Sequence, residues 1–159
     1  MIDSLEETTP VEMIEIIEEF REKIAKDEDL PPSQYLDKDV KLLYHLAHKF
    51  YLCNQFKEAE TFFLRLVLAR PLEKSYWQGL ASCRQMVQNY QEALVAWAMA
   101  SSLDKNEPSY LLFAAECLVY LDQKEEAAPL LKDLSEKITK EHPHFTLFTK
   151  LHLAVKGAL

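Results

Sequence analysis

Glycine is almost missing from this sequence: there are two in 159 residues, Gly79 and Gly157. Glycine is the cheapest source of positive-φ backbone, which hairpins and phosphate-cradling loops need. Its scarcity excludes a Walker-type or G-x-G-x-x-G nucleotide site. No apolar run reaches about 18 residues, and Met1–Pro10 is acidic and polar, so neither a transmembrane helix nor a signal peptide is expected. Basic charge is also in short supply, with 18 Lys and Arg against 26 Asp and Glu, a formal net charge of −8. A nucleic-acid surface needs clustered cations to displace counterions, so no nucleic-acid partner is expected. Three cysteines, Cys53, Cys83 and Cys117, are an odd number, each inside an apolar stretch. They read as buried free thiols of a reducing compartment.

The acidity is confined to one end. Residues 1–39 hold 13 acidic and 4 basic residues, whereas residues 40–159 hold 13 and 14. Within the acidic end, Met13, Ile14, Ile17, Phe20 and Ile24 recur at helical spacing, an apolar stripe on an otherwise charged helix. Consecutive prolines at 31 and 32 then mark a linker.

From residue 40 onward the chain repeats itself in a fixed register. Ala47, Ala81 and Ala115 align, as do Ala59, Ala93 and Ala127, each of the latter preceded by glutamate. Large residues align with large: Phe63, Trp97 and Leu131. Polar pairs recur at Asn54-Gln55, Gln88-Asn89 and Asp122-Gln123. The period, about 34 residues, is the tetratricopeptide signature, two amphipathic helices per repeat stacked into a solenoid. The spacing predicts helices over 38–53, 56–70, 73–87, 90–103, 107–121 and 124–138. The expected fold is all-α. An acidic segment over 1–37 carries the N-terminal helix, three helix-pair repeats occupy 38–141, and a capping helix lies within 142–159. Pro129 falls inside the sixth helix, where it should delay the start or kink the helix.

Catalytic constellations are lacking: there is no G-x-S-x-G, H-E-x-x-H or C-x-x-C. His45 and His48 share a helix, but Cys53 lies on another face, so no metal site is expected, nor any cofactor or enzymatic activity. What the pattern offers is a surface. The first helix of each pair lines the concave side of such a solenoid. Its inward positions are Tyr44, His48 and Tyr51 in the first repeat, Gln78, Ser82 and Gln85 in the second, and Leu112, Glu116 and Val119 in the third. Rings together with amide and hydroxyl groups suit an extended peptide with apolar anchors. The Lys, Arg and Asn clamp that would hold a C-terminal carboxylate is lacking.

Three strings are more specific than the period: G-L-A-S-C-R-Q (Gly79–Gln85), K-N-E-P (Lys105–Pro108) and A-A-E-C-L (Ala114–Leu118). With Leu43–Phe63 (LYHLAHKFYLCNQFKEAETFF), they make residues ~40–140 closely resemble the class II type III secretion chaperones. These are tetratricopeptide chaperones of translocator proteins in Gram-negative bacteria. The resemblance implies a protein of the bacterial cytosol that keeps translocators soluble and ready for export. The client would be held by a Pro-x-Leu-x-x-Pro segment near its N-terminus, without ATP and without insertion of the chaperone into a membrane. It places the family's groove aromatics on Tyr44, Tyr51 and Phe56, and puts His48 where many members carry Phe. A chaperone of a needle subunit or effector, or a general tetratricopeptide scaffold, is the alternative. The resemblance also implies a homodimer, formed here through Met13, Ile14, Ile17, Phe20 and Ile24. Ile17→Glu or Phe20→Glu is therefore expected to convert a dimer to a monomer while far-UV helicity stays near wild type. Sedimentation velocity checks this, and an unmodified protein that already sediments as a monomer contradicts it.

Overall fold

The structure, a computed structural model, describes residues 31–157. The N-terminal apolar stripe (Met13, Ile14, Ile17, Phe20 and Ile24) lies outside the described residues. A short 3-10 turn over Pro32–Gln34 leads into seven helices. They are α1 (Asp37–Leu52), α2 (Phe56–Ala69), α3 (Lys74–Met86), α4 (Tyr90–Leu103), α5 (Pro108–Tyr120), α6 (Lys124–Leu134) and α7 (Phe145–Lys156). Each packs mainly on its neighbours in sequence, so α1/α2, α3/α4 and α5/α6 form three successive hairpins, and α7 closes the row against α6 and α5. Among the described residues there is no strand, and no helix is long and apolar enough to cross a membrane.

The aligned small residues are where helices touch. Ala47, Ala81 and Ala115, and Ala59, Ala93 and Ala127, are all fully buried. A larger side chain at any of them would push two helices apart, an overpacking cost of about 1–3 kcal/mol. The aligned large residues Phe63, Trp97 and Leu131 are buried too, filling the space between hairpins. The core falls into two clusters that share α5. One runs from α1 through Tyr110, Ala114 and Cys117; the other joins Leu112, Ala115 and Leu118 to α6 and α7. A helix covered on two sides has little face left for charge. Glu116 is the single Asp, Glu, Lys or Arg on α5.

The turn inside each hairpin is the same device three times. Asn54, Gln88 and Asp122, equivalent positions of successive repeats, have φ of 59°, 62° and 59°. In the first, the Asn54 amide donates to the Tyr51 carbonyl and the Gln55 amide to the Phe50 carbonyl. The same pair of bonds recurs after α3 and after α5. This is the Schellman arrangement, normally closed by glycine in the left-handed region. Scarce glycine does not leave this chain without positive-φ positions. The turns need that conformation and fill it with Asn, Gln and Asp, at a steric cost of about 1 kcal/mol or more each.

Five of the six repeat helices end within two residues of the sequence expectation. The exception is α6, which begins on schedule, runs through Pro129 and stops at Leu134, short of the expected end at 138. Ile138 still reaches the core, its amide donating to the Leu134 carbonyl at 2.9 Å. Pro108, by contrast, stands at the start of α5, where its missing N–H costs nothing, and Glu107 caps that end by accepting the Ser109 amide at 3.0 Å.

Of the three left-handed residues, Gln88 has the least local compensation, because its longer side chain does not mimic a backbone turn as Asn and Asp do. Gln88→Gly is expected to stabilise the fold by about 1 kcal/mol and raise Tm by about 3 °C. Thermal and denaturant unfolding check this; a lower midpoint contradicts the strained-turn account.

Candidate functional site: the inner faces of the first helices

The first helices α1, α3 and α5 are bridged side by side by their own side chains. Between α1 and α3 the bridge is aromatic, with the Tyr44 and Tyr76 rings 5.4 Å apart. Between α3 and α5 it is polar. Gln78 Oε1 accepts the Tyr110 hydroxyl at 3.2 Å, and Gln85 Nε2 donates to Glu116 Oε2 at 2.6 Å. The face where these bridges lie is thus aromatic at the α1 end and hydrogen-bonded at the α5 end.

At the aromatic end, Tyr44 meets His48 edge-on at 5.2 Å, and both stand over the Phe63 ring at 6.2 and 6.4 Å. Phe63 is buried because it lies on the backbone of α3: a Cβ added to Gly79 would sit 2.2 Å from its ring. That close approach is why glycine is used here. Tyr44 is half-buried and His48 exposed, so both keep surface that a partner can cover. Tyr51 packs edge-on against Phe56 at 5.3 Å, both half-buried. Burial raises the pKa of the Tyr51 and Tyr76 hydroxyls, with smaller contributions from Cys83 and Glu73 respectively. Both phenols therefore remain neutral at physiological pH, able to donate as well as accept.

At the polar end the amides are already committed. Gln85 Oε1 accepts the Trp97 indole N–H at 2.8 Å, with Cys117 Sγ at 3.8 Å, while its nitrogen serves Glu116. Ser82 donates to the carbonyl of Gln78 in its own helix at 2.9 Å. Gln78 is exposed, and Glu116 is half-buried. Arg84, one residue before this network's hub, turns elsewhere and pairs with Glu60 at 2.9 Å and Glu92 at 3.2 Å.

Two sequence expectations need correction. Leu112 occupies the register of Tyr44 and Gln78, yet it is 0% exposed, packed in the second core cluster with α6 and α7. The face that α1 and α3 leave open at this register is covered in the last repeat, so Leu112 has no surface to offer a ligand. Cys53 is not buried. It sits at the end of α1 and is exposed, unlike Cys83 and Cys117. Two residues of the face were missed. Tyr76 lies against Tyr44, and Trp97 orients Gln85 from α4. The first left a signal, since Tyr76 and Tyr110 stand one repeat apart. Among the described residues no group of three His, Cys, Asp or Glu is placed to hold a metal ion.

Fold and face together define a tetratricopeptide-like array whose first helices present rings at one end and fixed hydrogen-bonding groups at the other. The chain is similar to known chaperones, among them one of type III secretion. It is 28% identical over 103 residues to low calcium response locus protein H of Yersinia pseudotuberculosis, covering 65% of this chain and 61% of that protein. It is 29% identical over 99 residues to the chaperone protein SicA of Salmonella typhimurium, covering 62% and 60%. The match thus spans about three fifths of these relatives' length. The crystal structure of the Yersinia enterocolitica type III secretion chaperone SycD with a peptide of the translocator YopD superposes with a TM-score of 0.70. That pair is 26% identical, over 79% of this chain and 98% of SycD. No protein-family model matches the chain.

The thiols give a direct check on the packing. Burial pushes Cys83 and Cys117 up to about 12, so at pH 8 only about one in ten thousand of each is thiolate. In the folded protein, a thiol-specific chromogenic reagent is expected to modify Cys53 quickly and the other two only on unfolding. Three fast thiols contradict the described core.

Proposed function

We propose that this protein is a chaperone of type III secretion translocators, holding an extended segment of its client across the inner faces of α1, α3 and α5. The single observation that carries this reading is the half-open aromatic cluster of Tyr44, His48 and Tyr76 on a rigid base of Phe63 and Gly79. A preformed cluster needs little ordering on binding, so a short strand gains affinity without a large entropic cost. SycD, the relative of like fold, is bound to a translocator peptide, which supports the same mode here. The client segment of Pro-x-Leu-x-x-Pro type would set its apolar residues on Tyr44, His48, Tyr51 and Phe56, and its backbone beside Gln78.

The physical service is solubility. A client with membrane-inserting helices aggregates if its apolar segments meet before export, and a binder engaging a short N-terminal strand leaves the remainder exportable. Binding alone does this work, so the protein acts in the cytosol without catalysis, ATP or cofactor. Association of two copies through the N-terminal stripe is part of the same reading; SycD has been solved as a dimer, in a structure 26% identical with a TM-score of 0.68.

The double variant Tyr44→Ala, Tyr51→Ala is expected to keep its helicity and to lose about 2 kcal/mol or more of affinity for a Pro-x-Leu-x-x-Pro peptide, roughly thirtyfold in Kd. Titration calorimetry measures it, and unchanged affinity overturns the assignment of this face.

A further inference from the structure

Across α3 and α5 the inner wall holds one charge whose position is set by the fold. Glu116 is the sole charged residue of α5. The two charges of α3 are spent elsewhere, Lys74 on Asp104 and Arg84 on Glu60 and Glu92. Glu116 Oε2 is fixed by Gln85 Nε2 at 2.6 Å. Gln85 in turn cannot flip its amide, because its oxygen accepts the N–H of buried Trp97 at 2.8 Å. A chain of two hydrogen bonds from α4 through α3 therefore orients a carboxylate on α5. Glu116 Oε1 accepts no hydrogen bond among the described residues, and the side chain is half-buried, not sealed. Glu116 also stands at the register of Ser82 and His48, one and two repeats earlier, so it continues the wall that begins with the aromatic cluster.

A half-buried, pre-oriented carboxylate with a free oxygen discriminates strongly among what is laid beside it. Another carboxylate is repelled, an apolar side chain leaves it desolvated and unpaired, and a cation gives a charge-assisted bond. We infer that Glu116 is a specificity-determining residue that selects client segments carrying a lysine or arginine beyond the apolar anchors. Gln85 is its positioning residue. The inference rests on the binding face proposed above. Adjacent first helices lie about 10 Å apart, so α1 to α5 is about 20 Å. An extended strand rises about 3.3 Å per residue, which puts the basic residue about six residues from the one seated on Tyr44 and His48.

The test uses the full-length chain and two synthetic peptides with identical Pro-x-Leu-x-x-Pro anchors. One carries lysine at the position that the strand geometry sets beside Glu116, and the other carries norleucine there. Fluorescence anisotropy gives both affinities. The lysine peptide is expected to bind about tenfold tighter, with the advantage shrinking at high salt. Glu116→Gln, which keeps the side-chain shape and still accepts from Gln85, is expected to bring the two peptides to equal affinity. Gln85→Met is expected to reduce the advantage without abolishing binding, whereas Tyr44→Ala weakens both peptides alike. Should both peptides bind equally to the unmodified protein, the role of Glu116 is overturned and the binding face stands. Should neither bind, or should Tyr44→Ala change nothing, the face itself is wrong and this inference falls with it.

Discussion

The contact between the Phe63 ring and the backbone of Gly79 holds the site together. A ring of that size reaches the backbone of the next helix only where that helix carries no Cβ, and the ideal position of one lies 2.2 Å from it. The contact brings α2 against α3 and so joins the first hairpin to the second. On its other side the same ring carries Tyr44 and His48. One steric permission thus sets both the stacking of the repeats and the platform for the aromatic cluster. Close-packed interiors transmit such displacements, so loosening this contact would move the two rings that the proposed client touches first.

The uneven character of the inner wall follows from how the row of hairpins ends. In α1 and α3 the inward register is open, and evolution of the wall there could place rings and amides. In α5 the same register is needed for core, because α6 and α7 close over it and bury Leu112. What remains to α5 on the open side is narrower, and Glu116 fills it with the help of Gln85 and Trp97. A wall that is aromatic at one end and holds an anchored carboxylate at the other has a direction, which a strand of either polarity alone would not supply.

Much of this was legible in the sequence because a constant repeat length is a geometric statement. Small residues that recur at Ala47/Ala81/Ala115 and Ala59/Ala93/Ala127 have to sit at close contacts, and helix ends follow from their spacing. The polar pairs at 54–55, 88–89 and 122–123 marked the turns, although their left-handed backbone was concealed by the lack of glycine. The expectation failed where one repeat differs from the others. Leu112 obeys the period, but the last repeat meets a cap instead of another repeat. Pro129 is inside its helix, yet the loss fell at the far end, and Ile138 was retained as an anchor. Cys53 sat in an apolar string at the very end of α1, where one step of helical rotation separates core from solvent. Trp97 was missed because it was read only as packing, and Tyr76 because it stands two residues before the inward position Gln78.

The central claim is that an extended peptide lies on the inner faces of the first helices. Aromatic NMR spectra of the full-length protein, recorded while a Pro-x-Leu-x-x-Pro peptide is added, test it most directly, because seven tyrosines are spread over the molecule. The ring signals of Tyr44, Tyr51 and Tyr76 should shift together and saturate with the peptide. That of Tyr35, whose hydroxyl accepts from Arg65 of α2 at 3.5 Å, should stay in place. Shifts confined to Tyr35, with Tyr44 and Tyr76 unmoved at saturation, would contradict the account.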